Sequence, residues 1–438
     1  MTDRPRVLFV TQTHNVWGGM EQWLHNFTLW LQQNTDFDVR VALPHGRKFN
    51  DADVYLRAHS HMRPVILDVR VGTQSVRVRR IVEAIETVDP DLIVPIATGD
   101  VFEAVAEAKR RGAKVRYLQP VRALVGELLA NVVDYWPSID GVASISRLFD
   151  RFFREAFPTE LDRVHYVRHG VRPAVVAHDR AAVLRVAFVG RIEPEMKRIF
   201  ELVPLVEAIG SAKVEVHLYG QGPSEQELRA RLATAPVPVT FHGYKTQDQL
   251  YRDAYPHIDV IVLFSAIGEG TPNAIVEAMQ HGCVPVIARY QGQAGERFVV
   301  DGRNGFTFEP GDVATAAAKI RQLANDRQLL AELSTRARAD VANDTAERMH
   351  RDWVAIFEKT LALPRKVPSA PAFSVQRAGR LDRLLSPNIA DTLRQITHRH
   401  YPHADGWAEW PGTVPASPER VREVLAELER LDRYTDGE

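Results

Sequence analysis

Two carboxylates, a pair of cations and a pair of glycines are the residues of this chain whose types and spacing could do chemistry. Glu269-Gly-Thr-Pro-Asn-Ala-Ile-Val-Glu277 follows a buried-type apolar run, DVIVLFS, and precedes Ala-Met-Gln-His-Gly-Cys-Val-Pro-Val. Thr271 is a suitable N-cap, Pro272 is preorganised for the first helical position, and Gly282 is a natural residue just past a helix end. This places Glu269 in the loop before a helix and Glu277 in its second turn. A helix N-terminus at the carboxyl end of a central strand gathers anions, because its N–H groups and positive dipole end converge there. A diphosphate fits that mouth. The carboxylates repel phosphate, so hydroxyl groups are their partners, and two acids flanking a phosphate site describe a nucleoside-diphosphate sugar. A lone pair at this spacing is equally served by Glu269 capping the helix and Glu277 facing solvent.

Val189-Gly190-Arg191-Ile-Glu-Pro-Glu-Met-Lys197-Arg198 follows another apolar strand and should overhang the same cleft. Arg191 and Lys197 supply positive charge for a leaving diphosphate, with charge-assisted hydrogen bonds worth about 1.5–3 kcal/mol each. A solvated basic turn is the plainer reading. Asn15-Val-Trp-Gly18-Gly19-Met-Glu21 directly follows the first strand, and paired glycines let backbone approach a ligand closely or simply form a tight turn. Neither GxGxxG nor GxxxxGK[ST] occurs, so dinucleotide oxidoreduction and P-loop hydrolysis have no motif support.

The elements that must position these residues alternate strand and helix, which predicts α/β architecture. RVLFVT (6–11), DVRVAL (38–43), 65–67, LIVPIA (92–97), 115–118 and GVASI (141–145) read as strands, separated by helices such as 19–33, 78–87 and 102–111. Continuous rather than alternating apolar runs imply burial on both faces, as in a parallel sheet. The pattern restarts at RVAFV (185–189) and continues through 214–219, 239–242, 259–265, 284–288 and 306–308. Two Rossmann-like domains facing across a cleft are therefore expected: 1–178, then 179–344, with a helix at 345–364 returning to the first. Three prolines in LPRKVPSAPAF mark a linker, and 365–438 forms that linker with a helical C-terminal extension. Ser417-Pro418-Glu419 opens its last helix, whose stripe of Val421, Val424, Leu425, Leu428 and Leu431 should pack on the body. Self-association or a partner through 374–438 is the alternative.

The 438 residues carry 55 Lys+Arg against 56 Asp+Glu, with 45% apolar residues, which excludes global disorder and any strongly basic nucleic-acid binder. One cysteine, Cys283, excludes an internal disulfide. The N-terminal apolar run is too short for a signal-peptide core, and no run suits a membrane helix, so a cytoplasmic chain is expected, with contact at the inner membrane face left open. Asp36-Phe-Asp38 and Asp89-Pro-Asp91 precede strands and read as turns rather than metal ligands. His398, His400 and His403 lack a carboxylate or cysteine to complete a site. Arg77, Arg79 and Arg80 make a basic helical start that would suit anionic lipid or glycan.

Taken together, GGMEQ (18–22), SISRLFD (144–150), YVRHGV (166–171), VGRIEPEMK (189–197), LYGQGP (218–223), FHGY (241–244), EGTPNAIVEAM (269–279), GCVPVIA (282–288) and VVDGRNGFTFEPGD (299–312) resemble glycosyltransferase family 4 across roughly 6–360. The resemblance implies the GT-B fold and a retaining sugar transferase using a nucleoside-diphosphate sugar, without cofactor or metal. It implies that Arg191, Lys197 and Glu269 serve catalysis, Arg191 and Lys197 on the diphosphate and Glu269 on donor-sugar hydroxyls. Gly18, Gly19, Gly190, Gly270, Thr271, Pro272 and Asn273 would meet phosphate or sugar, Glu277 the ribose, and Tyr244 the nucleobase. Many members carry a His after the strand that here reads VRYL; this chain has Gln119-Pro120-Val121-Arg122. Gln119 and Arg122, with His14 and Asp100, are the acceptor-side candidates. The expected acceptor is a glycan or lipid-linked glycan, in bacterial surface polysaccharide or glycoconjugate synthesis. A nucleotide-sugar epimerase or phosphorylase of the same fold, or a non-catalytic subunit, is the alternative.

Overall fold

The computed structural model describes residues 4–16, 18–174, 181–210, 213–266, 270–369, 380–397 and 410–435. The first half builds seven strands: β1 (Arg6–Thr11), β2 (Asp38–His45), β3 (Pro64–Asp68), β4 (Leu92–Ile96), β5 (Arg116–Val121), β6 (Gly141–Ser144) and β7 (Val164–Tyr166). They form one sheet in the order β3-β2-β1-β4-β5-β6-β7, with every pairing parallel. The second half adds β8 (Leu184–Val189), β9 (Val214–Tyr219), β10 (Val239–Phe241), β11 (Val260–Leu263), β12 (Val284–Ala288) and β13 (Phe306–Phe308), ordered β10-β9-β8-β11-β12-β13 and again parallel. Leu8, Val94, Val186 and Val286 are fully buried, as helices on both faces require. Each sheet reverses direction once, between β1 and β4 in the first and between β8 and β11 in the second. The loops leaving those strands splay to opposite faces there and open a crevice.

The helix Ala346–Ala362 returns to the first sheet, where Trp353 and Phe357 are buried with Phe9 and Phe27. The chain then passes 366, whose amide donates to Asp140 at 2.7 Å, beside the buried Lys109–Asp140 ion pair. Two short helices, Arg380–Leu384 and Pro387–Ile396, lead on, the second packing against the helix Gln74–Val88. The last helix, Pro418–Thr435, lies along Gly126–Asp134 and Arg147–Ala156. Its Val424, Leu428 and Leu431 join the first sheet's core, with Val421 and Leu425 packed beside them. The stripe thus packs on the body.

The helices Ala52–Ala58, Gly126–Asp134 and Arg147–Ala156, and the strand β7, lie beyond the sequence expectation. They are short, and tertiary burial rather than a long periodic pattern stabilises them. The histidines at 398, 400 and 403 lie outside the described residues. No helix among the described residues is long and apolar enough to cross a membrane.

Candidate functional site

At the second sheet's reversal the loops after β8 and β11 stand side by side, because these strands are neighbours. The β8 loop is built by close backbone packing. Gly190 N–H donates to Tyr219 O at 3.0 Å and Ile192 N–H to Gln221 O at 3.1 Å. A methyl group on Gly220 would lie 1.8 Å from Gly190 O, and one on Gly222 would lie 2.2 Å from Ile192 O, so only glycine fits either place. Gly220 N–H donates to Gly243 O at 2.8 Å, which ties the turn carrying Tyr244 to the same loop. Tyr244 is 53% exposed, an aromatic face open for stacking.

Glu193 shapes the basic turn. Its carboxylate accepts the amides of Glu195, Met196 and Lys197 at 2.9, 3.1 and 3.1 Å. Burial would raise the Glu193 carboxyl, but these hydrogen bonds and Arg191 outweigh it and hold the group below the usual glutamate value. Lys197 leans back over the strand end, its Cε 4.0 Å from a methyl placed on Gly190, while Arg191 is exposed.

Across the reversal, the helix Asn273–Gln280 begins one residue later than the sequence suggests. Pro272 occupies the N-cap with φ −73° and ψ 101°, and Ile275 N–H donates to Pro272 O at 3.0 Å. Thr271 is not the cap. Its hydroxyl donates to Ile145 O at 3.3 Å, on the first sheet's side of the cleft. Gly282 follows the helix with φ +86°, as expected of the residue past a helix end. Glu269 lies outside the described residues. Glu277 is not a solvated helix residue: it is buried, accepting from Gln247 Nε2 and from Tyr255 OH, both at 2.7 Å. Burial raises its carboxyl against those two donors.

The first domain meets this loop directly. A methyl on Gly19 would lie 3.9 Å from Asn273 Nδ2, and one on Gly270 would lie 2.6 Å from Arg122 O. The Asn15 and Glu21 side chains close around Gly18, where a methyl would sit 2.4 Å from Asn15 Nδ2 and 2.5 Å from Glu21 Oε2. Glu21 therefore braces the glycine loop. It accepts from Asn15 at 3.2 Å, and burial raises its carboxyl while the amides of Glu21 and Gly18 and the charge of Arg122 oppose the rise. Arg122 stacks on Trp23, 4.2 Å from the ring centroid, and burial pulls its guanidinium down to about 10. Glu21 is the residue that sequence reasoning passed over; its signal was the carboxylate immediately inside the helix that the glycine pair opens.

Two acceptor-side candidates are held by partners within the first domain. Asp100 is 1% exposed and ion-paired to Arg77 at 2.6 Å, which also removes Arg77 from the basic surface. Gln119 is buried in β5, accepting from Tyr117 OH at 2.6 Å and donating to Pro120 O at 2.7 Å. The polar atoms of both are engaged within the protein in this structure. His14 remains exposed on the loop after β1. Asp38 is held by Arg40 and Arg63 at 3.1 Å, and Asp91 accepts the Arg6 amide at 2.8 Å, so both act at strand starts.

The extension reaches the first sheet's reversal. Gln12 Nε2 donates to Trp410 O at 3.0 Å and Gly99 N–H to Pro411 O at 2.9 Å. A methyl on Gly99 would lie 2.3 Å from the Thr413 carbonyl carbon, so residues 410–414 press onto the ends of β1 and β4. Further on, Asp432 accepts the amide of Gly292 at 2.9 Å, so the last helix touches both domains.

Residues 184–326 match the family model described as Glycosyl transferases group 1. The chain superposes on Anabaena Alr3699/HepE in complex with UDP with a TM-score of 0.65, over 81% of this chain and 99% of that one, at 19% identity. The fold is GT-B. Among curated proteins, this GT-B chain is 34% identical over 145 residues to the sulfoquinovosyl transferase SQD2 of Arabidopsis thaliana, covering 33% of this chain and 27% of that protein. It is 26% identical over 177 residues to the poly(ribitol-phosphate) alpha-N-acetylglucosaminyltransferase of Staphylococcus aureus, covering 39% of this chain and 35% of that one. The aligned stretches thus span about a quarter to a third of these relatives. The family match covers β8 to β13 and so holds both the basic turn and the Asn273–Gln280 helix.

Proposed function

We propose that the chain is a glycosyltransferase that moves a sugar, with retention of anomeric configuration, from a nucleoside-diphosphate donor to a glycan or lipid-linked acceptor in surface polysaccharide or glycoconjugate synthesis. One observation carries the reading. The basic turn and the N-terminus of Asn273–Gln280 flank the second sheet's reversal, and Gly19 of the first domain closes on Asn273 from the opposite side. A diphosphate there meets cations, helix amides and glycine backbone at once. Arg191 and Lys197 stabilise the leaving diphosphate, and Glu269 holds sugar hydroxyls. Glu277 takes the ribose with the acceptor capacity its two protein donors leave, and Tyr244 covers the base. Same-face attack, with the departing phosphate taking the acceptor proton, accounts for retention. The cations and the helix dipole do the neutralising that a divalent metal would otherwise do.

The relatives named for sulfoquinovosyl and N-acetylglucosaminyl transfer, and the neighbour solved with UDP, support the class of donor. A thermal-shift panel of UDP, GDP, ADP and dTDP, each with its sugars, tests it. One nucleotide should raise the melting temperature by mass action, and calorimetry showing no binding of any of them overturns the reading in favour of a non-catalytic subunit. With the preferred donor in hand, activity should survive excess EDTA. Loss in EDTA with rescue by magnesium or manganese would contradict metal-free neutralisation. An epimerised sugar nucleotide formed without acceptor would identify an epimerase instead.

A further inference from the structure

The helix Pro387–Ile396 is inside out. Its charged pair is buried, with Asp391 at 1% and Arg394 at 6% exposure, while Ile389, Leu393 and Ile396 stand at 53%, 40% and 69%, beside the exposed Thr392 and Gln395. Positions 389, 393 and 396 share one face by helical spacing. The short helix before it also exposes Leu381 at 43% and Leu384 at 82%. Asp391 fixes this orientation. Its carboxylate accepts from Thr73 Oγ1 at 2.9 Å, from Ser75 Oγ and from Arg394 at 2.8 Å, with Arg79 3.6 Å away. Turning the helix to bury its aliphatic face would strand that carboxylate. A contiguous exposed apolar row held outward by a buried polar network marks an interaction surface.

What it meets is indicated by the charges beside it. A cavity of about 150 Å³ is lined by Arg47, Arg70, Arg79, Arg80, Asp68 and Gln395, with Arg80 also paired to Glu83 at 2.6 Å. Asp68 is occupied by Arg70, in contacts of 2.9 and 2.6 Å. Gln395 precedes Ile396, so the cavity and the aliphatic row share one border. The cavity lies beyond the ends of β2 and β3. Aliphatic side chains bordering an arginine-lined cavity complement acyl chains lying beneath phosphate headgroups. We propose that this face docks the protein on an anionic lipid bilayer, with a headgroup phosphate among the four arginines and Leu384, Ile389, Leu393 and Ile396 below the headgroups.

Co-sedimentation of the full chain with vesicles of phosphatidylcholine alone, and of phosphatidylcholine mixed with phosphatidylglycerol, tests this. The chain should partition onto the anionic vesicles at least about tenfold better, and added salt should weaken it. The double variant Ile389→Asp/Ile396→Asp, altered only at exposed positions, should lose about tenfold or more at an unchanged melting temperature. Arg47→Glu should lose anionic selectivity. Equal or absent binding to both vesicles overturns the proposal. So does displacement by inorganic phosphate without any effect of the aliphatic variants, which would describe a soluble-phosphate pocket. A dimer that Ile389→Asp disperses would identify a second copy as the occupant, also overturning it. Nucleotide binding, measured on the same variants, should stay unchanged, so this outcome is read separately from the donor site.

Discussion

Lys197 sits on a turn whose three amides, its own among them, are gathered by Glu193, and these backbone contacts do not depend on the length of the lysine side chain. Lys197→Ala should therefore leave the fold intact and lower turnover more than about tenfold, the order expected when one charge-assisted contact to a leaving group is lost. Wild-type turnover in that variant would remove the leaving-group role. Gly220 makes the opposite prediction. Its φ of +145° and the Gly190 carbonyl against it leave no space for Cβ. Gly220→Ala should push the β8 loop outward and lose nucleotide affinity together with stability, read by calorimetry and by a denaturant midpoint. Glu21 and Arg122 matter because the glycine loop rests on one and the Gly270 loop on the backbone of the other.

The last helix is the element that most clearly belongs to this chain rather than to the two sheets. Leu428 is fully buried in the first domain's core, and four residues on Asp432 holds the Gly292 amide of the second domain. Leu428→Ala should cost about 2–5 kcal/mol by leaving a cavity, seen as a lower midpoint with unchanged denaturant slope. A loss below about 1 kcal/mol would mean the helix is only loosely seated. The strap at 410–414 is pressed over the ends of β1 and β4, at the first domain's own reversal.

For the whole molecule, buried histidines set the acid limit. His165, His169 and His350 are held down to about 4, 3 and 4, first by desolvation and then, for His169, by Arg122, Arg348 and His350. In the unfolded chain each binds its proton below about pH 6.5, whereas the folded chain does so only near those lowered values. Between the two, the unfolded state holds more protons. Stability is therefore full above about pH 6.5 and falls as the pH drops towards 4, by up to about 1.4 kcal/mol per pH unit for each histidine. Denaturant midpoints compared at about pH 7.5 and pH 5 check this, and an unchanged midpoint would mean these rings already carry their protons in the fold.

The amino-acid sequence by itself determined the local features. β1, β9, β12 and β13 run over the residues their apolar patterns marked, β1 and β12 as continuous runs buried on both faces and β9 and β13 as alternating ones with one face more exposed. Gly282 could be placed past a helix end from local sterics alone. The placement of the basic turn and the glycine loop was legible for the same reason: each is a few consecutive residues following a strand. Tertiary structure alone decided what depends on partners distant in sequence. Asp100 and Gln119 look the same on paper whether they face a ligand or a buried neighbour. Asp100 is engaged by Arg77, 23 residues back, and Gln119 by Tyr117, its neighbour on the same face of β5, once that strand is buried in the sheet. The Pro387–Ile396 helix shows the limit most plainly, since an amphipathic pattern does not say which face is buried. That was set by Asp391 finding Thr73, Ser75 and Arg394, an electrostatic choice that exists only once the helices are packed.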